Sequence, residues 1–310
     1  MRMSSLLAAC GALAAAAAVI ACAPADEAIA PSGPRLILNS PSGVDLVGMP
    51  DLVVHTRITE EQWVVRDENL PANFCSVEEG KVTPGVRRLV RFTVEVPNIG
   101  DADVYIGSPL AHMDPNGDGD FSDQDGLYEF ATCHGHFHFK NYATYRLISA
   151  KDGKEWKAAK RGFCMLDTDP TPAYYGLEPH EKNYLNCGTS TRDGFQGIST
   201  GWADTYRFTL GGQYFILDGG DGQAVVPPGD YIIEVHANPP YAPSKKDGCP
   251  RATDPATGLC HQFAESNYAN NVGRAYITIP AHVGRAGYGP LAGSNNGVTK
   301  EEDIDHAGQN

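Results

Sequence analysis

The densest chemistry in the chain lies in the run Cys133-His134-Gly135-His136-Phe137-His138-Phe139. On a β-strand, side chains alternate between faces, so the three imidazoles would share one side while Cys133, Phe137 and Phe139 point to the other. Three neutral nitrogen donors leave open positions on a bound ion, which catalysis requires and a closed structural site avoids. Imidazole accepts both zinc and copper, so these residues do not choose the metal. The competing reading is a surface cluster of histidines with no ion; the spacing and the flanking apolar alternation favour the metal.

A second metal signal comes just before it, in the stretch from Asp114 to Asp125. Asp114, Asn116, Asp118 and Asp120 offer oxygen ligands at alternate positions, Gly119 suits the sharp turn, and Asp125 stands last, in the order of a calcium-binding loop. Asp125 replaces the bidentate Glu of that pattern, and the flanks do not read as helices. Calcium and a plain acidic loop both stay open.

These residues need a frame, and the rest of the chain predicts a β one. Leu89 to Val96, Tyr145 to Ile148, Tyr231 to Val235 and Ala275 to Ile279 are short, β-branched and partly alternating, with Gly, Pro, Asn or Asp nearby. The 34 Gly and 22 Pro break the chain into many turns and leave room for few helices. Pro227-Pro228-Gly229-Asp230 reads as a turn feeding a strand. The expected fold class is all-β, a single antiparallel sandwich-like domain with long loops, few short helices and disulfide staples. It should span residues 46–280.

Outside that domain, residues 1–21 read as a signal peptide, because an apolar run from Leu6 to Ala21 follows Arg2 and is short for a membrane span. The ending Val19-Ile20-Ala21-Cys22 is similar to a bacterial lipobox, so Cys22 is the expected lipidation site, although Ile20 is bulky for that motif; plain secretion is the alternative. Residues 22–45, rich in Ala, Pro and Ser, would then be anchor and tether. Residues 281–310, turning to Gly, Asn, Asp and Glu, read as a disordered tail. The expected location is therefore exported, lipid-anchored at the cell envelope or secreted, with the membrane met through the lipid alone.

The formal net charge is -14. Such acidity argues against a nucleic-acid partner and would attract a cationic substrate at low ionic strength, though it also serves solubility. Of the eight cysteines, Cys10 falls in the leader and Cys22 at its end, leaving Cys75, Cys133, Cys164, Cys187, Cys249 and Cys260. An even set suits an oxidising compartment and up to three disulfides. The absence of a C-x-x-C pair argues against a zinc knuckle or a thioredoxin-like site.

Several ordered motifs resemble the lysyl oxidase family. Cys133 to His138 is similar to its copper-binding run. Pro50-Asp51-Leu52-Val53 and Asn73-Phe74-Cys75 resemble its opening strand and first domain cysteine. Lys160-Arg161-Gly162-Phe163-Cys164-Met165-Leu166-Asp167-Thr168 resembles the segment carrying the cofactor lysine. Gln196-Gly197-Ile198-Ser199 with Asp204-Thr205-Tyr206 resembles the one carrying the cofactor tyrosine. Pro228 to Ile232 and Asn267 to Asn271 match late motifs, and the likeness covers roughly residues 46–280.

The resemblance implies copper(II) at His134, His136 and His138, and a lysine tyrosylquinone made by joining Lys160 to Tyr206. Without it, a surface lysine and a packed strand tyrosine would be the plain readings. A quinone carbonyl condenses with a primary amine, and a base then removes the proton from the adjacent carbon. Hydrolysis releases an aldehyde, and reoxidation by dioxygen yields hydrogen peroxide and ammonia. Asp204, which on a strand shares a face with Tyr206, is the candidate base; a structural carboxylate is the other reading. The resemblance also implies Cys75 with Cys133 and Cys164 with Cys187, leaving Cys249 with Cys260. The expected substrate is a primary amine, either peptidyl lysine or a small amine. The rival is a non-catalytic metal-binding surface lipoprotein on the same scaffold, which would need neither Lys160 nor Tyr206. A zinc hydrolase ranks lower for want of an HExxH-like base.

Overall fold

The computed structural model describes residues 43–285. The expected leader, Cys22 and most of the expected tail lie outside the described residues. The first half of the chain forms α1 (Thr56–Glu61), β1 (Trp63–Leu70), α2 (Cys75–Gly80), β2 (Gly85–Phe92), β3 (Val94–Pro97), β4 (Val104–Gly107), α3 (Pro109–Met113), β5 (Tyr128–Ala131), β6 (His136–Phe139) and β7 (Ala143–Ser149). The second half forms β8 (Glu155–Lys157), β9 (Asp169–Pro170), β10 (Gln196–Ile198), β11 (Trp202–Tyr206), β12 (Tyr214–Ile216), β13 (Gly229–Ala237), β14 (Ala252–Thr253), β15 (Cys260–His261) and β16 (Val272–Ile279).

The strands pair antiparallel in small sheets: β1-β2-β12, β3-β11-β9, β16-β13-β7-β8, and the pairs β4-β10, β5-β6 and β14-β15. The all-β, antiparallel architecture with few short helices is the one the sequence predicts. In β16 the alternation is complete, with Gly273, Ala275, Ile277 and Ile279 inward and Arg274, Tyr276 and Thr278 outward. β13 starts at Gly229, directly after the predicted turn.

The single strand expected over Leu89 to Val96 is split at Thr93. The Thr93 hydroxyl donates to the Gln62 side chain and accepts from the Phe208 amide, which takes this residue out of the ladder. One apolar cluster joins the sheets, with Val90, Phe92, Phe137, Phe139, Leu147, Phe163, Phe215, Ile233 and Ile277 all buried in it. Within β1 and β2, Arg91 and Glu68 form an ion pair at 2.8 Å with both side chains fully buried. Arg91 also donates to the carbonyls of Phe208 and Leu210, so the pair fixes the turn that follows β11.

The disulfides are Cys75–Cys133, Cys164–Cys187 and Cys249–Cys260, the pairs that the resemblance implies. At the C-terminal side the last described residues pack back on the domain. Gly284 bridges Val65, and the buried Arg285 guanidinium lies 4.5 Å from the Trp63 ring centroid while donating to the Glu61 carbonyl.

Candidate metal centre and its neighbours

β5 and β6 make a hairpin in which Glu129 stands opposite His138. The strand starts at His136, which corrects the expected unbroken strand from Cys133. His134 sits in the preceding turn, closed by the Gly135 amide donating to the Ala131 carbonyl, with Gly135 at φ 72°. That left-handed conformation suits glycine. Alternation therefore accounts for His136 and His138 against the buried Phe137 and Phe139, while the turn swings His134 back to join them. Cys133 is exposed and so does not share the buried face of Phe137 and Phe139 that the alternation predicts for it; its partner Cys75, at the start of α2, is buried.

The ligand atoms of His134, His136 and His138 all lie within 4.8 Å of one another, and His134 Nδ1 is 3.0 Å from His138 Nε2. Nitrogens sharing one ion at about 2.0 Å each stand on the order of 3 Å apart, so the set fits a divalent ion of the zinc or copper type. Among the described residues this is the group of His, Cys, Asp and Glu side chains that converges in this way. Two carboxylates stand near the rings: Glu79 of α2 lies 3.7 Å from His134 Nδ1, the nitrogen that also faces His138, and Glu129 lies 4.0 Å from His138 Nδ1, on the side of that ring away from His134. A carboxylate placed as Glu129 is can orient a ligand imidazole.

The segment after Lys160 runs beside this strand. The Phe139 amide donates to the Phe163 carbonyl at 2.7 Å. Gly162 lies so close to His138 that a Cβ there would collide with the imidazole. Phe163 meets the Tyr206 ring edge-on at 5.3 Å, and Lys160 Nζ stands 5.3 Å from the centroid of that same ring. The structure thus brings Lys160 and Tyr206 face to face across 46 residues of intervening sequence numbering. Tyr206 is buried, and its hydroxyl donates to the Cys164 carbonyl at 2.8 Å and accepts from the Cys164 amide at 2.9 Å.

Asp204, two residues earlier on β11, is also fully buried. Neither of its carboxylate oxygens closes a hydrogen bond of normal geometry; the nearby Leu166 amide and Tyr206 hydroxyl favour the ionised form, but less than burial opposes it. Burial therefore dominates and lifts its pKa well above the usual carboxylate range. Burial, with the Asp204 charge added, likewise pushes the Tyr206 phenol well upward. Tyr142, just before β7, and Tyr145 within it pack edge-on against Phe163, each at 5.5 Å, and complete the wall of this chamber.

A cleft of about 670 Å³ opens on the histidines, lined in part by His134, His136, Asp167, Lys182, Leu185 and Arg192. The acidic loop lies elsewhere. Asp114 is buried and takes the Gly119 amide, Asn116 and Asp118 take the amides of Asp118 and Asp120, and Asp120 takes the Ser122 amide. Asp125 faces His112 at 2.8 Å and Arg251 at 3.6 Å.

Sequence reasoning missed Glu79, Glu129, Tyr142, Tyr145, Lys182 and Arg192. Glu129 could have been found by pairing a hairpin around the histidine run. Glu79 could not, because a disulfide and a helix bring it in. These features define an all-β, disulfide-stapled domain with a three-histidine cluster and, near it, a half-buried lysine set against a buried tyrosine.

Comparison with known proteins agrees. The lysyl oxidase family model matches residues 57–248. Lysyl oxidase homolog 2 of Gallus gallus is 28% identical over 235 residues, 72% of this chain and 24% of that protein. Lysyl oxidase homolog 3B of Danio rerio is 31% identical over 209 residues, 64% of this chain and 22% of that protein. Lysyl oxidase homolog 2 of Homo sapiens is 27% identical over 245 residues, 75% and 25% respectively. The chain belongs to the lysyl oxidase family, and it spans about a quarter of the length of these relatives.

Proposed function

We propose that this domain oxidises primary amines to aldehydes, consuming dioxygen and water and releasing ammonia and hydrogen peroxide. The observation that carries this reading is the placement of Lys160 Nζ over the Tyr206 ring, 5.3 Å from its centroid. A scaffold that only bound metal would have no use for that pair. His134, His136 and His138 would hold copper, with Glu129 orienting the His138 ring and Glu79 adding negative charge beside His134. Copper bound there would supply, with dioxygen, the oxidation that makes a quinone of the Tyr206 ring and joins it to Lys160.

The chain's own residues do the rest. The Cys164 backbone holds the phenol hydroxyl from both sides and so presents the ring to the lysine amine. Phe163, Tyr142 and Tyr145 exclude water from the chamber. Asp204 takes the proton from the carbon beside the substrate nitrogen, a task that its raised proton affinity suits. The expected lipidation of Cys22, export, and attachment through the lipid alone belong to the same reading.

Copper-loaded protein exposed to air and then treated with phenylhydrazine tests it. The expected product is a visible adduct and, after trypsin, one branched peptide joining the Lys160 and Tyr206 segments. Tyr206→Phe should keep copper yet lose both the adduct and peroxide release. Two separate unmodified peptides together with no peroxide from any amine would leave the metal-binding surface protein as the better reading.

A further inference from the structure

The rings that shut bulk solvent out of the Tyr206 chamber leave several of its polar atoms unmet. Asp204, Tyr142 and Gln213 are fully buried, and Tyr145 is 6% exposed. Among the described residues, no hydrogen bond of normal geometry reaches either oxygen of Asp204, the hydroxyl of Tyr142 or of Tyr145, or either end of the Gln213 amide. Protein interiors pair nearly all such atoms, with other protein groups or with ordered water, so six in one place call for an occupant. Each one left bare would carry the desolvation cost of a lost hydrogen bond.

The four side chains form one cluster. Tyr142 and Tyr145 meet the same Phe163 ring, which in turn meets Tyr206. Burial, and after it the Asp204 charge, holds both of those phenols well above their usual range, so both hydroxyls keep their protons and remain donors. Gln213 lies by the Tyr145 hydroxyl. Its root is fixed, because its amide donates to the Leu210 carbonyl at 3.3 Å and its carbonyl accepts from the Phe92 amide at 3.4 Å. None of the four lines the open cleft on the histidines. A carboxylate, two hydroxyls and an amide that stand together without bonding directly are the surroundings that buried water takes. Such a molecule makes about three hydrogen bonds, donating to the carboxylate and accepting from a hydroxyl or an amide.

We propose that Asp204, Tyr142, Tyr145 and Gln213 form an internal binding site for ordered water, and that the water consumed in amine oxidation is drawn from it. The site stands by itself; its role rests on the amine-oxidase reading. In that role the water oxygen bonds to the carbon that gives up its bond to nitrogen, and both water protons pass to the departing nitrogen, the first by way of Asp204. The chamber thereby holds the water that hydrolysis needs while its aromatic walls keep out the rest.

A crystal structure of the full chain, at a resolution that shows ordered water, tests the site directly. Water density is expected within hydrogen-bond distance of Asp204 and of Tyr145 or Gln213. Side chains bonded directly to one another, with no density between them, would overturn the proposal. Urea unfolding tests it through the sign of a change. A hydroxyl that holds water loses a hydrogen bond on replacement, so Tyr145→Phe should lower the folding constant by about fivefold, whereas removing a bare hydroxyl leaves it unchanged or raises it. A Tyr145→Phe protein at least as stable as the parent would therefore also overturn the site. The role is read in Gln213→Leu, loaded with copper in air. It should still give the phenylhydrazine adduct, which forms without hydrolysis, but release aldehyde from an amine about tenfold more slowly than the parent. If that variant fails to fold, Tyr145→Phe, which differs by one oxygen, is read in the same way. Aldehyde release at the parent rate would overturn the role. Bound water in a parent that forms neither adduct nor peroxide leaves the site standing and removes the oxidase reading; adduct and peroxide with no bound water do the reverse.

Discussion

Gly162 is the smallest side chain near the centre and has the least room to change. Because a Cβ there would run into the His138 ring, Gly162→Ala should displace one ligand and weaken copper affinity at least tenfold, read by competition with a chelator, while the fold melts cooperatively. Asp204 makes a prediction of opposite sign for stability and activity. Its folded pKa is raised, so its contribution to stability is fully present below the unfolded value of 3.8 and is lost as pH climbs through the folded value. Asp204→Asn cannot ionise. It should be more stable than the parent by ~1–3 kcal/mol at alkaline pH, with the advantage shrinking toward acid, and should release little peroxide from amines. Urea titrations at several pH values check the first part; a variant less stable than the parent at high pH would contradict it. The three histidines stood out by ligand chemistry within seven adjacent residues, and alternation accounts for the shared side of His136 and His138 but not for His134. Lys160 and Tyr206 were legible only through resemblance, since nothing local to either marks it as different from a surface lysine or a packed tyrosine.

At the scale of elements, the Cys75–Cys133 bridge is the link that ties the histidine turn to α2 and so sets Glu79 beside His134. Replacing both cysteines by Ala frees a loop of 58 residues in sequence separation and should cost up to about 4 kcal/mol by the chain-entropy relation. Copper affinity should fall in the same variant, because His134 then loses the anchor next to it. Calorimetry and a copper titration measure the two effects separately, and full affinity in a destabilised variant would show that β6 alone orders the site. Strands such as β13 and β16 could be read directly, because each shows apolar residues on one face and a turn signal at one end. The break at Thr93 could not, since it depends on hydrogen bonds to Gln62 and Phe208, which are distant or unmarked in sequence. Nor could the start of β6 at His136, where a glycine turn replaces the first part of an otherwise regular alternation.

For the whole molecule, composition marks residues 281–310 as a tail, and the described part of that stretch, 281–285, includes packed residues. Charge and glycine content hid a guanidinium buried against Trp63 and bonded to main-chain carbonyls of α1 and β1. A chain ending at Pro280 should therefore lose ~1.5–3 kcal/mol relative to one ending at Arg285, measured by urea unfolding. Equal stability of the two would mean that these contacts count for nothing in solution. Tyr206 brings a further consequence for the life of the molecule. Its hydroxyl is held by both backbone groups of Cys164, whose sulfur is bonded to Cys187 on the cleft wall. Opening that bridge would therefore loosen the same stretch of main chain that grips the phenol from both sides, so the redox state of one sulfur pair bears directly on how firmly the Tyr206 ring is held.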